Sequence, residues 1–329
     1  MTHHPPPPLL DRPHCEARDA LASGAPVYLP VNPVEFHGPH LSLHNDRLVA
    51  AGLIQDLHTR LAETHADWPL LRAADLEVGV DVVLGPGARP VPYEVAARLI
   101  RGACTSLAEL GARRVVLMTF HGSPFHSHAL EEGVRVLRAR GVQAVNPMNE
   151  LLRAVIQGEL QGERTRLESA LPDASPELRA ALEQSLVFDF HAGLLETSLA
   201  LHYAPETVHP CHRELPACPP LTPVRAIRAV SRAAAALGRR ALARELEFAA
   251  LGLAWHALRP FPGYTGSPHL ATAKLGALFA TPLVERLTRV VEDVFDGRAP
   301  SPAPLMGWLG PLSLGGRLGT SVFSAAPTT

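Results

Sequence analysis

The apolar residues of the chain form two kinds of pattern, short continuous runs and longer stretches with helical spacing. The short runs predict buried strands at 26–31, 78–84, 114–120, 142–146 and 186–190. Apolar residues three and four positions apart predict helices at 48–63, 93–110, 126–140, 194–203, 224–248 and 271–295. Strands that alternate with helices in this way favour right-handed βαβ crossovers and a mainly parallel sheet.

The fold class that follows is α/β, a three-layer α/β/α domain whose mainly parallel sheet is covered by helices on both faces. We expect one such domain over 21–299, with a helical surface insertion at 151–185, where Arg, Glu, Leu and Ala dominate. Residues 1–20 form a Pro-rich leader, which we expect to be irregular, as we do the Gly/Pro/Ser-rich tail at 300–329.

Composition narrows the classes of partner. The 329 residues contain 30 basic and 32 acidic side chains, a balance that argues against nucleic acid and anionic membranes as partners. No run reaches the roughly 18 apolar residues of a membrane span. The four cysteines form no C-x-x-C pair, which fits a reducing compartment, and we expect a cytoplasmic protein that acts on a small molecule.

The first segment with candidate chemistry follows the strand at 26–31 and reads EFHGPHLSLHND. Residues two apart in an extended chain point the same way, so Glu35 and His37 can face one point while Phe36 packs behind them. Asp46 follows shortly after. Carboxylate and imidazole ligands suit a divalent Zn, Mn or Fe ion, and one Asp can bridge two ions.

Two further segments place ionisable residues near predicted strand ends. His121 follows the strand at 114–120, and His191 and Glu196 lie in DFHAGLLETS, where a predicted strand turns into a helix. Ligands of open α/β sheets gather at the carboxyl ends of the strands. The three segments together therefore predict an open site for one or two divalent metal ions.

These segments resemble the creatininase family of metal-dependent amidohydrolases, which includes a formamidopyrimidine deformylase and the peptidase of mycofactocin maturation. LPVNPVEFHGPHLSLHND is similar to the family's E-Q-H-G-P-H-L-P-L stretch with its T-D pair, and HAGLLETS matches H-A-G-x-x-E-T-S. FHGSP stands where the family has N-G-H-G-G-N, and YTGSP with ATAKLG resembles its late G-D-P and A-T-x-x-K-G stretch. The resemblance spans nearly the whole chain.

The resemblance implies metal ligation by Glu35, His37, Asp46 and His121, with Asp46 as the bridge between two ions. Glu196 is our choice for the remaining ligand, because the family's metal-binding Glu two residues after the His that matches His121 is replaced by Ser123 here. That departure argues against creatinine as the substrate.

Two further side chains receive roles beside the ligands. His191 is the expected general acid, both because an imidazole titrates near neutral pH and because it matches the His of H-A-G. His40 could orient Glu35 or Asp46, and Ser123 would contact the ligands or the substrate.

The expected activity is hydrolysis of an amide, cyclic amide or formamide by metal-activated water, on a bond other than an ordinary peptide bond. The resemblance also implies a homo-oligomer, a hexamer as in family members. Two alternatives stay open: a hydrolase or deformylase dedicated to one biosynthetic pathway, and a catalytically inactive metal-binding scaffold or small-ligand-binding protein of the same fold.

Overall fold

The structure, a computed structural model, describes residues 8–157 and 174–309, with the backbone alone for 183–188. Its strands are β1 (Val27–Asn32), β2 (Leu71–Arg72), β3 (Leu76–Glu77), β4 (Arg114–Met118) and β5 (Gln143–Val145). Its α-helices are α1 (His14–Ala22), α2 (Asn45–Thr64), α3 (Tyr93–Leu110), α4 (Pro124–Ala139), α5 (Met148–Gln157), α6 (Pro176–Phe188), α7 (Leu194–Tyr203), α8 (Arg225–Ala236), α9 (Arg240–His256) and α10 (Ala273–Phe295).

The sheet is parallel in every described pairing and has the order β2-β1-β4-β5, with β3 added beside the carboxyl end of β1. Strand β1 lies at the centre, and Pro30 pairs with Met118 of β4. Just beyond this pair, the side-chain oxygen of Asn32 accepts the backbone N–H of Phe120 at 2.9 Å. The chain segments that leave β1 and β4 therefore start side by side.

The two faces of the sheet carry separate apolar cores. Along β4, Val115 and Leu117 point into a core formed with α1, α3 and α4, while Val116 and Met118 point into a core formed with α2, α7 and α10. This alternation follows from the two-residue period of a strand. A sheet covered by helices on both faces confirms the predicted α/β fold class.

Several predicted elements differ from the structure. The segment at 186–190 is not a strand, because α6 continues to Phe188. Residues 78–84 are not a strand either, and the pairing in this part of the chain is confined to the preceding β3. A short apolar run fits a buried helix end as well as a strand, so the pattern alone could not decide. The helix predicted at 224–248 is two helices, α8 and α9, separated at Gly238, whose φ of 74° lies in the left-handed region that favours glycine.

The ends and the insertion also differ from expectation. The leader is helical over α1, with Leu21 buried, so residues 14–20 are not irregular. The expected surface insertion contributes to the core, because Leu151 and Leu182 are 4% and 2% exposed. Three stretches lie outside the described residues: 158–173 of that insertion, 1–7 of the leader and 310–329 of the tail. Among the described helices, none combines the length and hydropathy of a membrane span.

Candidate metal centre

The loop after β1 carries the first pair of predicted ligands. Its backbone is tied down by hydrogen bonds from the N–H of Glu35 to the carbonyl of Leu43 at 3.0 Å and from Phe36 to Val83 at 3.3 Å. The same loop leads into α2, whose first turn contains Asp46. Glu35, His37 and Asp46 are each 1% exposed. Three ionisable side chains are thus buried together where β1 ends.

His37 and His121 are oriented in the same way. Nδ1 of His37 lies 3.1 Å from the carbonyl oxygen of Glu35, and Nε2 of His121 lies 3.0 Å from that of Val80. A carbonyl can only accept, so each of these nitrogens carries the proton. The other nitrogen of each ring faces the carboxylates. Backbone carbonyls commonly fix metal-binding imidazoles in this manner.

Asp46 lies between the two imidazoles. Its Oδ1 is 3.1 Å from Nε2 of His37, and its Oδ2 is 3.6 Å from Nδ1 of His121. Each carboxylate oxygen thus faces a different ring. This is the arrangement that one carboxylate needs to bridge two cations.

Glu35 and Glu196 complete the cluster. Oε1 of Glu35 accepts the N–H of Val83 at 2.6 Å, while Oε2 faces Nδ1 of His121 at 2.8 Å. Oε2 of Glu196 accepts the N–H of Ala192 at 2.6 Å and lies 3.7 Å from Nε2 of His37. In Glu35 one oxygen is anchored to the backbone and the other faces the centre, whereas in Glu196 the same oxygen does both.

The donor atoms form three overlapping triads, in each of which they lie within 4.8 Å of one another: Glu35-Asp46-His121 and His37-Asp46-Glu196, which share Asp46, and Glu35-His37-His191. Two oxygens in them, Oε2 of Glu35 and Oδ2 of Asp46, are buried and have no hydrogen-bond partner outside the cluster. Buried carboxylate oxygens are normally satisfied, so orphaned ones facing imidazole nitrogens fit a divalent cation. We name Glu35, His37, Asp46, His121 and Glu196 the ligand cluster.

The electrostatics of the cluster reflect its crowded charges. Burial disfavours charged imidazoles, but the neighbouring carboxylates overcome it and raise the pKa of His37 to about 10 and that of His121 to about 9. Burial raises the pKa of Glu196 to about 8, against the opposing charge of His37. Without a cation, protons bound to the two imidazoles therefore balance the carboxylates.

His191 lies beside the cluster. Its Nε2 donates to the carbonyl of Phe36 at 2.8 Å, and its ring stacks on that of His37 with 4.4 Å between centroids. Burial and the positive charge of His37 hold the pKa of His191 well below its usual range. The ring is therefore neutral, with its protonated nitrogen on the backbone carbonyl and Nδ1 as a proton acceptor.

The structure changes the roles expected for two other residues. His40 does not orient Glu35 or Asp46 as expected, because its Nε2 pairs with the hydroxyl of Thr197 at 2.9 Å. Ser123 accepts the N–H of His126 at the start of α4 and donates to Oδ2 of Asp81 at 3.2 Å. Ser123 does reach the cavity beside the cluster.

Sequence reasoning missed Asp81, which lines the same cavity. It adopts a left-handed backbone conformation with φ of 61°, uncommon for a residue with a side chain, and burial raises its pKa to about 7. The neighbouring Val80 and Val83 hold His121 and Glu35. A single acidic residue within the apolar run GVDVVL was the available signal.

Asp189, whose role sequence reasoning did not assign, supports the turn that carries His191 and Glu196. One oxygen accepts the N–H of Leu195 at 2.9 Å, and the other accepts the hydroxyl of Thr265 at 3.3 Å. A Cβ atom at Gly193 would lie 1.6 Å from this carboxylate, so only glycine fits there. Burial raises the pKa of Asp189 to about 7.

The cluster opens into a cavity of about 240 Å³. Its polar end contains the cluster carboxylates, His121, His191, Asp81 and Asp189. Helices α5, α9 and α10 and the segment after α10 supply most of the remaining lining. We name this lining the apolar wall, and its members are Met148, Leu151, Leu152, Val155, Ile156, Phe190, Phe248, Ala249, Gly252, Trp255, Phe279, Leu283, Met306, Trp308 and Leu309.

Comparison with known proteins points to one family. The family model for creatininase, described as creatinine amidohydrolase, matches residues 12–291. No curated protein matches the chain.

Solved structures of creatininase share the fold. A glutamate-to-glutamine mutant of creatininase described as the Zn-Zn type has a TM-score of 0.57 at 19% identity, over 88% of this chain and 99% of that chain. A structure titled "Creatininase Mn" has a TM-score of 0.54 at 18% identity, over 87% of this chain and 97% of that chain. A third, of creatinine amidohydrolase, has a TM-score of 0.55 at 18% identity, over 88% and 97%.

Proposed function

The chain belongs to the creatininase family, and from that premise we propose that it hydrolyses a C–N bond of a small-molecule amide, cyclic amide or formamide in a metal-dependent reaction. The observation that carries the proposal is the pair of ligand triads that share Asp46. Each triad supplies carboxylate and imidazole donors, which are the ligands of catalytic zinc and manganese sites.

In this proposal, Glu35, Asp46 and His121 hold one divalent cation, and His37, Asp46 and Glu196 hold a second. The unpartnered oxygens of Glu35 and Asp46 support the fit. Zn, Mn and Fe all suit this donor set. A bound divalent cation would polarise the amide carbonyl and lower the pKa of a water molecule. The cation would also replace the protons that balance the cluster in its absence.

We propose that His191 handles the proton of the reaction. Its neutral ring accepts at Nδ1 the proton that the attacking water loses, while Nε2 stays on the carbonyl of Phe36. The ring then gives this proton to the leaving nitrogen, which is expelled poorly as an anion. In this proposal the role of general acid follows a step as base, because burial lowers the pKa of His191 and so disfavours a second proton on its ring at the start.

The assembly and location extend the same proposal. Family resemblance supports a homo-oligomer, with a hexamer as its expected form, and the absence of paired cysteines in the sequence supports a cytoplasmic protein. Sedimentation of the purified protein would test the assembly. A hexamer supports the expectation, and a monomer at micromolar concentration contradicts it.

The decisive experiment measures hydrolysis and metal content together. The protein is stripped with a chelator, reloaded with Zn, Mn or Fe, and offered lactams, cyclic ureas and formamides. We expect turnover of at least one class that disappears on chelation and returns with metal. Stoichiometric metal without turnover of any class would instead favour the scaffold alternative, in which the cavity binds a ligand without cleaving it.

A variant of His191 separates proton transfer from metal binding. His191→Ala should keep its metal and lose about 10²–10⁴-fold in turnover, the usual contribution of a general acid or base. Elemental analysis and steady-state kinetics provide the two readings. Loss of metal in this variant would place His191 among the ligands, consistent with its nearness to Glu35 and His37.

A further inference from the structure

We infer that the substrate carries an uncharged apolar group, a single ring or a short branched chain, beside its scissile amide, and that the apolar wall binds this group. The inference rests on the proposed function, because the wall and the ligand cluster line one cavity. It adds a substrate class to that function, which the ligand cluster alone does not specify.

The first support is the composition of the wall. Aromatic rings project from different parts of the chain, with Phe190 before α7, Phe248 and Trp255 on α9, and Phe279 on α10. Trp255 is 1% exposed, and its Nε1 donates to the carbonyl of Tyr264 at 2.9 Å. This bond fixes the indole so that its ring centroid lies 5.3 Å from that of His191. A rigid apolar surface therefore begins directly beside the proposed proton-transfer group.

The second support is charge. None of the described residues that line the cavity is Lys or Arg, while Asp81, Asp189 and the cluster carboxylates are acidic. The lining also includes His256 on α9, but burial lowers its pKa to about 4, so this imidazole is uncharged near neutral pH. A carboxylate or phosphate on the far side of the substrate would lose its hydration without gaining a cationic partner. The wall therefore selects against an anionic substituent.

The third support is size. A cavity of about 240 Å³ is slightly smaller than the roughly 300–1,000 Å³ common for drug-sized ligands. It accommodates an amide with one ring more readily than a long peptide or acyl chain. A small, highly polar cyclic amide would leave most of the apolar wall without a packing contact. Shape and chemistry thus indicate the same kind of substituent.

The test uses formamides that differ only in the group on nitrogen. With metal-loaded protein, kcat/KM should rise from N-methylformamide to N-butylformamide and N-benzylformamide, by roughly fourfold for each methylene that becomes buried. The kcat/KM for N-(4-carboxybenzyl)formamide should be at least about tenfold below that for uncharged N-benzylformamide. Equal values across the neutral series, or a preference for the carboxylate, would overturn the inference.

A cavity-filling variant tests the location of the group. Gly252 lies on α9 at the cavity wall, and a Cβ atom added there meets no other atom within 4 Å. Gly252→Leu should lower the ratio of kcat/KM for N-benzylformamide to that for N-methylformamide at least about tenfold. The matched control is Gly102→Leu on α3, where an added Cβ also meets nothing within 4 Å and where the residue is exposed. An equal ratio in both variants would contradict the assignment.

Binding without turnover separates this inference from the proposed function. Two of the three tryptophans, Trp255 and Trp308, line the cavity, so ligand binding can be followed by tryptophan fluorescence in chelated protein. Saturable binding of N-benzylformamide that Gly252→Leu weakens, with no hydrolysis by metal-loaded protein, would support the inference and reject the hydrolase. Hydrolysis of N-methylformamide without binding of N-benzylformamide would reject the inference and keep the hydrolase.

Discussion

The ligand cluster and the apolar wall face the same cavity but are built in different ways. The cluster comes from loops at strand ends and from the first turns of α2 and α7, and backbone hydrogen bonds orient its side chains. The apolar wall consists mainly of side chains on α5, α9 and α10, and most of these side chains are apolar, so packing rather than hydrogen bonding orients them. If both proposals hold, reaction chemistry and substrate preference depend on separate parts of this fold.

The largest effect should follow from breaking the cluster at its shared residue. Asp46→Ala removes a donor from both triads and leaves His37 and His121 without their common partner. We expect activity to fall by about 10³-fold or more, since loss of even an outer hydrogen-bonding partner costs about 10–100-fold. Elemental analysis should find metal sharply reduced at both positions.

The control for this variant is Asp75→Asn, which changes an exposed carboxylate paired with Arg72. It should keep both metal and activity. Unchanged metal stoichiometry in Asp46→Ala would contradict the bridging role.

A substitution in the apolar wall should lower the stability of the fold and leave the metal content unchanged. Phe279 is 3% exposed and belongs both to the wall and to the core shared by α2, α7 and α10. Phe279→Ala should lower the free energy of unfolding by about 3–5 kcal/mol through cavity formation. Phe279→Leu, which preserves most of the volume, is the matched control and should cost less than about 1.5 kcal/mol. Metal loss in Phe279→Ala that Phe279→Leu does not show would undo the separation of the two regions.

The charge of the cluster predicts how the chelated protein responds to pH. His37 and His121 have pKa values of about 10 and about 9 in the folded protein, against about 6.5 when unfolded. Their stabilising contribution is therefore complete below pH 6.5 and is lost as the pH rises through 9 and 10. We expect Tm to fall by several degrees over this range.

Metal should remove most of that dependence, because a bound cation supplies the positive charge that the protons otherwise supply. Thermal unfolding of chelated and Zn- or Mn-loaded protein at matched pH makes the comparison. A chelated protein whose Tm rises between pH 7 and 9 would show that the imidazoles do not carry these protons.

The smallest effect should come from Asp81, at the junction of cluster and wall. Its pKa of about 7 lies above the usual value of 3.8, so ionisation destabilises the folded state as the pH rises from about 4 to about 7 and by a constant amount above. Asp81→Asn removes that penalty, and Asn tolerates the left-handed conformation well. In chelated protein we expect Tm to rise by about 1–3 °C at pH 8 and to stay unchanged at pH 4. A rise of equal size at both pH values would point to a cause other than charge.

The sequence predicted most of the first half of the molecule because its local signals agree. Helix α3 has the predicted bounds, ending at Gly111 in the left-handed conformation that favours glycine, and α7 matches as well. The ligand cluster was predictable because parallel strands bring their carboxyl ends together, so residues after β1 and β4 meet whatever their separation along the chain.

The remaining features depend on contacts that no local pattern contains. Asp81 lies in irregular chain held by Val80 and Val83, so neither a strand nor a helix period marks it. The wall combines helix faces between residues 148 and 309, and each face alone has the spacing of an ordinary core helix. The strand predicted at 186–190 was wrong for a related reason, since a short segment rich in apolar residues fits either a strand or a helix end.

The pairing of α8 and α9 has a consequence for how such an enzyme can diverge. Helix α9 packs mainly against α8, and the hydroxyl of Ser231 on α8 donates to the carbonyl of Ala243 on α9 at 2.8 Å. Phe248 and Gly252 on α9 can therefore vary while the sheet and its loops keep their geometry. Relatives could acquire new substrates by exchanging residues along one helical hairpin, and a protein engineer could randomise the same face without disturbing the reaction machinery.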